Sequence, residues 1–102
     1  MDEAKYLLLA DAALEKAADW LEEFDPDVVD FGTTDGVVTI EFPCGQKYIL
    51  NRQRGSHQMW FAAGAEAWHY DWSDEREAWL DDKDGHELFA NLEARVRTKA
   101  GL

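Results

Sequence analysis

Four carboxylates recur at four-residue intervals near the start of the chain, Asp11, Glu15, Asp19 and Glu23, with Glu22 alongside. Residues four apart are neighbours on a helix surface, so this spacing stacks like charges into a ridge and costs an isolated helix about 0.2–0.5 kcal/mol per pair. Asp25, Asp27 and Asp30 extend the same field past the helix. Carboxylate oxygens suit hard or borderline cations such as iron and calcium. A field of this sign also attracts basic protein surfaces. A ridge supplies donors from one side only, so a bound cation keeps its water. The expected sites are weak, multiple and poorly selective. The competing reading is an acidic face that is simply solvated. No EF-hand loop, His-Glu-x-x-His pattern or cysteine pair is present.

A second set of residues follows from strand alternation. If Val38, Ile40, Phe42, Leu50, Met59 and Phe61 face the core, then Thr39, Asn51, Gln58 and Trp60 face outward. A large aromatic on an open sheet face, ringed by amides and hydroxyls, has the character of an interaction anchor. A side chain covered by a neighbouring loop is the alternative. Asn51 and Gln53 supply a polar rim, and Arg52 and Arg54 add positive charge nearby. His57 and His69 fall on the same outer face, and His69 and Asp71 share one side of a strand; a metal site or ordinary surface residues both fit. His86 is expected in solvent. Cys44 lies in a turn beside Gly45 with no adjacent base, so an idle thiol is expected over a nucleophile.

The elements that must position these residues are legible in the periodicity. Tyr6, Leu9, Ala10, Ala13, Ala17, Leu21 and Phe24 recur three or four apart and predict a helix from about Lys5 to Phe24, stopped by Asp25-Pro26. Strands are predicted over Val28–Thr33 and Val37–Phe42, joined at Asp35-Gly36, where both residues tolerate positive φ. Tyr48 and Leu50 continue the inward set, with Lys47, Ile49 and Asn51 outward. Further strands fit Gln58–Ala62, Ala67–Trp72 and Ala78–Asp81. Asp84 is the expected cap of a last helix over Gly85–Lys99, with Leu88, Phe89, Leu92 and Val96 as its apolar stripe. The reading is an α+β chain, a single domain over 1–102. Its two terminal helices cover one face of a five- to six-stranded antiparallel sheet and leave the other face in water.

Composition narrows the function classes. Ten Lys and Arg stand against 22 Asp and Glu, a formal net charge of -12. Residues 1–35 hold eleven of the acids and two of the bases. Such a chain repels nucleic acid and anionic membranes. No apolar run nears the ~18 residues of a membrane span, and no signal or transit segment is visible, so the expectation is cytoplasmic.

These residues resemble the frataxin family, in its bacterial branch. The likeness runs through the acidic first helix, Asp35-Gly36-Val37-Val38-Thr39-Ile40-Glu41-Phe42, Asn51-Arg52-Gln53, His57-Gln58-Met59-Trp60-Phe61-Ala62, Trp68-His69-Tyr70-Asp71, Trp79 and the Gly85–Leu92 segment. The Asn-Arg-Gln segment followed at this distance by Gln-x-Trp is its most specific part. The resemblance implies a frataxin-like αβ sandwich and an iron-binding protein that modulates iron–sulfur cluster assembly. On that basis Asp11, Asp19, Glu22, Glu23, Asp25, Asp27 and Asp30 are the expected carriers of weakly held, exchangeable Fe²⁺ or Fe³⁺. Asp19, Glu22 and Glu23 would face a cysteine desulfurase, joined by Glu15, an acidic addition on the same helix face that is not itself a family match, and Asn51, Gln53, Gln58 and Trp60 would face an iron–sulfur scaffold protein. No organic cofactor is expected, and the iron-free chain is expected to be monomeric. The chain departs from the family at Gly55-Ser56, where a proline-containing turn is common, and at Lys16, within the acidic region. Two other readings are a ferroxidase or iron store at clustered carboxylates, and a metal-independent adaptor using the Trp60 face.

Overall fold

Asp2 opens the first helix, α1 (Glu3–Leu21), by accepting the Lys5 N–H on Oδ1 at 2.8 Å, in a computed structural model describing residues 1–102. Tyr6, Ala10, Ala13, Ala17 and Leu21 are buried along one stripe, as their spacing requires, and Leu14 joins them. The helix stops three residues short of the expected Phe24. Glu23 and Phe24 donate their N–H groups to Trp20 and Leu21 carbonyls, each at 3.2 Å. Three-residue steps of this kind tighten a final turn and satisfy carbonyls that Asp25-Pro26 leaves without helical partners.

Six strands follow: β1 (Asp30–Thr34), β2 (Val37–Glu41), β3 (Lys47–Gln53), β4 (Gln58–Ala63), β5 (Glu66–Ser73) and β6 (Ala78–Asp81). Each pairs antiparallel with its chain neighbour, so spatial order equals chain order. β1 begins at Asp30, later than the expected Val28. Val28 and Val29 instead donate to the Asp25 carbonyl at 2.8 and 3.0 Å, forming a turn that buries Val29. Thr34 pairs with Val37 across Asp35-Gly36, and of the two turn residues only Gly36 takes positive φ, at 77°.

Register settles which residues share a face. Val38, Leu50, Phe61 and Trp68 form one cross-strand row on the helix side, and Arg52, Met59, Tyr70 and Asp81 form another. Arg52 is therefore not on the outer surface where its charge had placed it. It lies beneath α1. His57 also departs from expectation: it sits in the β3–β4 turn at φ 54° and stacks on Tyr6, with ring centroids 4.8 Å apart, on the helix side.

The second helix, α2 (Leu88–Ala100), starts later than Gly85 and is capped by Glu87 rather than Asp84. The Glu87 carboxylate accepts from Phe89 N–H at 2.8 Å and Ala90 N–H at 2.9 Å. Asp84 is engaged elsewhere, and Gly85 at φ 79° breaks the helical path. Leu88, Leu92 and Val96 are buried, while Phe89 is half-buried. Both helices cover the same sheet face, as the expected two-layer arrangement requires, and the opposite face has no covering element. No helix is long and apolar enough to cross a membrane.

Candidate functional site: an acidic ridge and an open sheet face

The ridge acids fall into two electrostatic groups. Asp11 is neutralised within the protein: Arg52 donates Nη1 to Asp11 and Nη2 to Asp35, the latter at 2.9 Å, from a guanidinium side chain only 15% exposed. Glu15, Asp19, Glu22, Glu23, Asp25, Asp27 and Asp30 are all exposed and take part in no ion pair. Two of them shape the backbone instead. Asp25 accepts the Asp27 N–H and Asp30 accepts the Phe31 N–H, each at 2.9 Å.

The cations that might have answered this field are held elsewhere. Lys5 pairs with Asp74, Lys47 with Glu41, Arg54 with Glu3 and Arg95 with Glu66. Lys16, which shares α1 with the ridge, lies 4.2 Å from the Phe89 ring centroid, and Arg97 lies over Trp20 and Phe24 at 5.6 and 6.0 Å. Stacking fixes each cation over a ring, and neither forms an ion pair with a ridge carboxylate. The ridge keeps its field.

The donor geometry suits loosely held cations. No three ridge carboxylates converge; the one trio of metal-ligating atoms within 4.8 Å of one another is Asp81, Asp84 and His86, none of them a ridge acid. Exposed oxygens along a helix suit a loosely held cation that retains its water.

The sheet face assembles as alternation requires. Val37, Asn51, Trp60 and His69 form one cross-strand row, and Gln53, Gln58, Asp71 and Leu80 the next. All four expected residues, Asn51, Gln53, Gln58 and Trp60, thus share a surface. Trp60 is clamped there. Its indole stacks on His69 with centroids 4.3 Å apart, and its N–H donates to Gln58 Oε1 at 3.0 Å. Gln58 Nε2 in turn donates to Asp71 and Asp82 at 3.1 and 3.2 Å, which fixes its amide orientation. His69 and Asp71 are members of the surface by position, and their two-residue spacing was its only signal in the sequence. Asp82, a loop residue, had none. The remaining row on this face, Thr39, Ile49, Ala62 and Ala67, is largely apolar, and Ile49 is 39% exposed.

Two other expectations resolve differently. His86 is half-buried and engaged within the protein: it bonds Tyr70 Oη at 2.7 Å and Asp84 at 2.6 Å. Cys44 is exposed, as expected, and its thiol is held below the usual cysteine range, first by the Gln46 backbone and then by the nearby Lys99 charge.

Comparison with known proteins agrees with this geometry. The model of the frataxin-like domain matches residues 1–102. The chain is 35% identical over 101 residues to the iron-sulfur cluster assembly protein CyaY of Pseudomonas fluorescens, covering 99% of this chain and 91% of that one. It is 37% identical over 93 residues to the protein of the same name from Thioalkalivibrio sulfidiphilus, covering 90% and 87%. The solved frataxin of Psychromonas ingrahamii superposes with a TM-score of 0.88 at 32% identity, covering 99% of this chain and 93% of that one. A family model matched from end to end, relatives this similar over nearly their whole length and a superposition this close show that the chain belongs to the frataxin family.

Proposed function

We propose that this protein is an iron-binding accessory factor of iron–sulfur cluster assembly, acting by docking rather than by catalysis. Its relatives are named iron-sulfur cluster assembly proteins, which supports the process. The observation that carries the mechanism is the set of seven exposed acids, Glu15 to Asp30, that the protein's own Lys and Arg leave unpaired. In this reading the basic face of a cysteine desulfurase relieves that repulsion, and Fe²⁺ or Fe³⁺ carried on Asp19, Glu22, Glu23, Asp25, Asp27 and Asp30 competes for the same carboxylates. Asp11, held by Arg52, contributes less. Iron occupancy then tunes docking by neutralising the surface that docks. Asn51, Gln53, Gln58 and Trp60 contact the scaffold protein, with the preset Trp60 indole avoiding the entropic cost of ordering it on binding.

The test is binding of cysteine desulfurase by the double variant Glu22→Lys, Glu23→Lys at low and high salt. The expected result is at least a tenfold loss of affinity, about 1.4 kcal/mol, together with a shallower salt dependence. Unchanged affinity overturns the ridge as the contact surface. A second reading, a metal-independent adaptor, is favoured by the clamped Trp60. Full partner binding in chelator that is lost in Trp60→Ala would select it. The open, non-convergent ridge gives no specific support to a ferroxidase.

A further inference from the structure

The two edges of the sheet end differently. At β6 the chain covers its own edge: Leu80 bridges Glu87, and Asp81 donates its N–H to the His86 carbonyl at 2.8 Å. At β1 no strand or bridge lies beyond, and the strand pairs on one side only. Natural edges are commonly blunted by lysine, proline or a bulge. β1 has neither residue, and its pairing with β2 runs unbroken from Asp30 to Thr34.

The register shows which backbone groups this edge presents. Arg52 donates its N–H to the Gly36 carbonyl at 3.0 Å, and Phe42 donates to the Gln46 carbonyl at 3.1 Å. Backbone groups of Val38 and Ile40, in step with Gly36 and Phe42, therefore point toward β3, while those of Val37, Thr39 and Glu41 point toward β1. Their partners Thr34, Gly32 and Asp30 are taken up in that ladder, which leaves the N–H and C=O groups of Phe31 and Thr33 directed out of the sheet. Asp30 Oδ1 accepts the Phe31 N–H at 2.9 Å, in agreement with this parity. The Thr33 N–H and both carbonyls are left to water.

What surrounds the edge selects its occupant. On the helix side a cleft of about 270 Å³ opens between α1 and the β1–β2 turn, lined by Glu15, Thr33, Thr34 and Asp35. A strand laid ~4.8 Å beyond β1 sends every second side chain to this side, toward the α1 carboxylates. On the other face Gly32 has no side chain and nothing within 4 Å of where one would stand, so alternate side chains of an added strand can lean on Thr39 and Ile49. A second copy of the chain brings the same exposed acids to the same edge, and like charges across paired strands repel. A segment in which Lys or Arg alternates with β-branched residues is matched on both faces.

We propose that the β1 edge takes up an extended basic segment of a partner protein as an added strand, held by backbone hydrogen bonds to Phe31 and Thr33 and by an ion pair in the Glu15 cleft. In strand addition the main chain supplies affinity and the alternate side chains supply specificity. The inference rests on the docking reading for the sign of the partner's charge alone, since the ridge can meet a basic face with this edge empty.

The probe is a capped octapeptide of alternating lysine and valine, titrated into the full chain and followed by amide ¹H–¹⁵N NMR. Binding should slow hydrogen exchange at the Thr33 amide, roughly tenfold when nine-tenths of the chain is occupied. The Gly32 and Thr34 amides, already in the ladder, should change little, and the glutamate–valine counterpart should not bind. Thr33→Pro removes the outward donor without altering the β2 ladder or the net charge, a change that edge strands tolerate. Checked for a native circular dichroism spectrum, it should weaken the lysine–valine peptide at least about fivefold. A peptide that shifts the Glu15, Asp19 and Glu22 amides but leaves Thr33 exchange as it was overturns the edge site and leaves ridge docking standing. Thr33 protection alongside unchanged desulfurase binding by Glu22→Lys, Glu23→Lys supports the edge and overturns the ridge. Thr33 protection that grows with protein concentration without peptide assigns the edge to a second copy, and that too overturns the proposal.

Discussion

Arg52 decides how much of the acidic surface is free. From β3 it reaches up to Asp11 on α1 and across to Asp35 in the β1–β2 turn, tying three elements together. The side chain packs tightly enough that a Cβ added at Gly36 would stand 3.0 Å from its Nε, so the turn needs glycine both for its φ of 77° and for this passage. Charge-assisted hydrogen bonds from a largely buried donor stabilise more than exposed ion pairs do. Both acceptors are exposed, at 56% for Asp11 and 93% for Asp35, which discounts the gain. Arg52→Gln should therefore lower unfolding stability by about 1–2 kcal/mol, read by urea denaturation. The same change releases Asp11 to the ridge, so cation binding there should strengthen even as the fold weakens. Opposite movement of the two readouts separates an electrostatic role for Arg52 from simple packing, which would weaken the fold and leave cation affinity alone.

At the scale of elements, α2 depends on one carboxylate that also sets its position. Glu87 takes up two of the N–H groups at the helix start, and Leu80 bridges to Glu87 across the preceding loop, so the cap fixes both where α2 begins and how it meets β6. Glu87→Ala should cost about 1 kcal/mol and expose the first turn; faster amide exchange at Phe89 and Ala90 than in the wild type is the check. The helix stripes and strand faces were legible in the sequence because burial imposes periods of 3.6 and 2 on the residues that carry it. What was not legible depended on partners far along the chain. Parity with Tyr48 and Leu50 places Arg52 on the helix side; its charge argues for solvent, and the reversal comes from Asp11 and Asp35, 41 and 17 residues away. His57 was likewise misplaced, because a left-handed turn held by Tyr6 and Glu3 leaves no local period. Asp84 has the composition of a helix cap, yet it is taken by His86. The ridge acids were legible as a group, but only the structure divides Asp11 from the others.

For the whole molecule, a formal net charge of -12 leaves many acids without a Lys or Arg partner, and along α1 those acids stand at helical spacing. Glu3, Glu41, Glu66 and Asp74 each meet a Lys or Arg within 4 Å, whereas Glu15 to Asp30 meet none. Unrelieved like charges at helical spacing each cost about 0.2–0.5 kcal/mol, so the ridge as a set withholds on the order of 1 kcal/mol of stability. Salt screens such exposed charges, with a Debye length that falls from ~10 Å at 0.1 M to ~3 Å at 1 M. Raising NaCl through that range should therefore raise the melting temperature of the wild-type chain by roughly 4–8 °C per kcal/mol recovered. Glu22→Lys, Glu23→Lys should begin with a higher melting temperature at low salt and gain less as salt is added. If both proteins respond to salt alike, the effect is general and not seated on the ridge. If they diverge as expected, the surface that weakens the isolated fold is the one whose repulsion a cation or a basic partner can relieve, and docking recovers stability that folding alone leaves out.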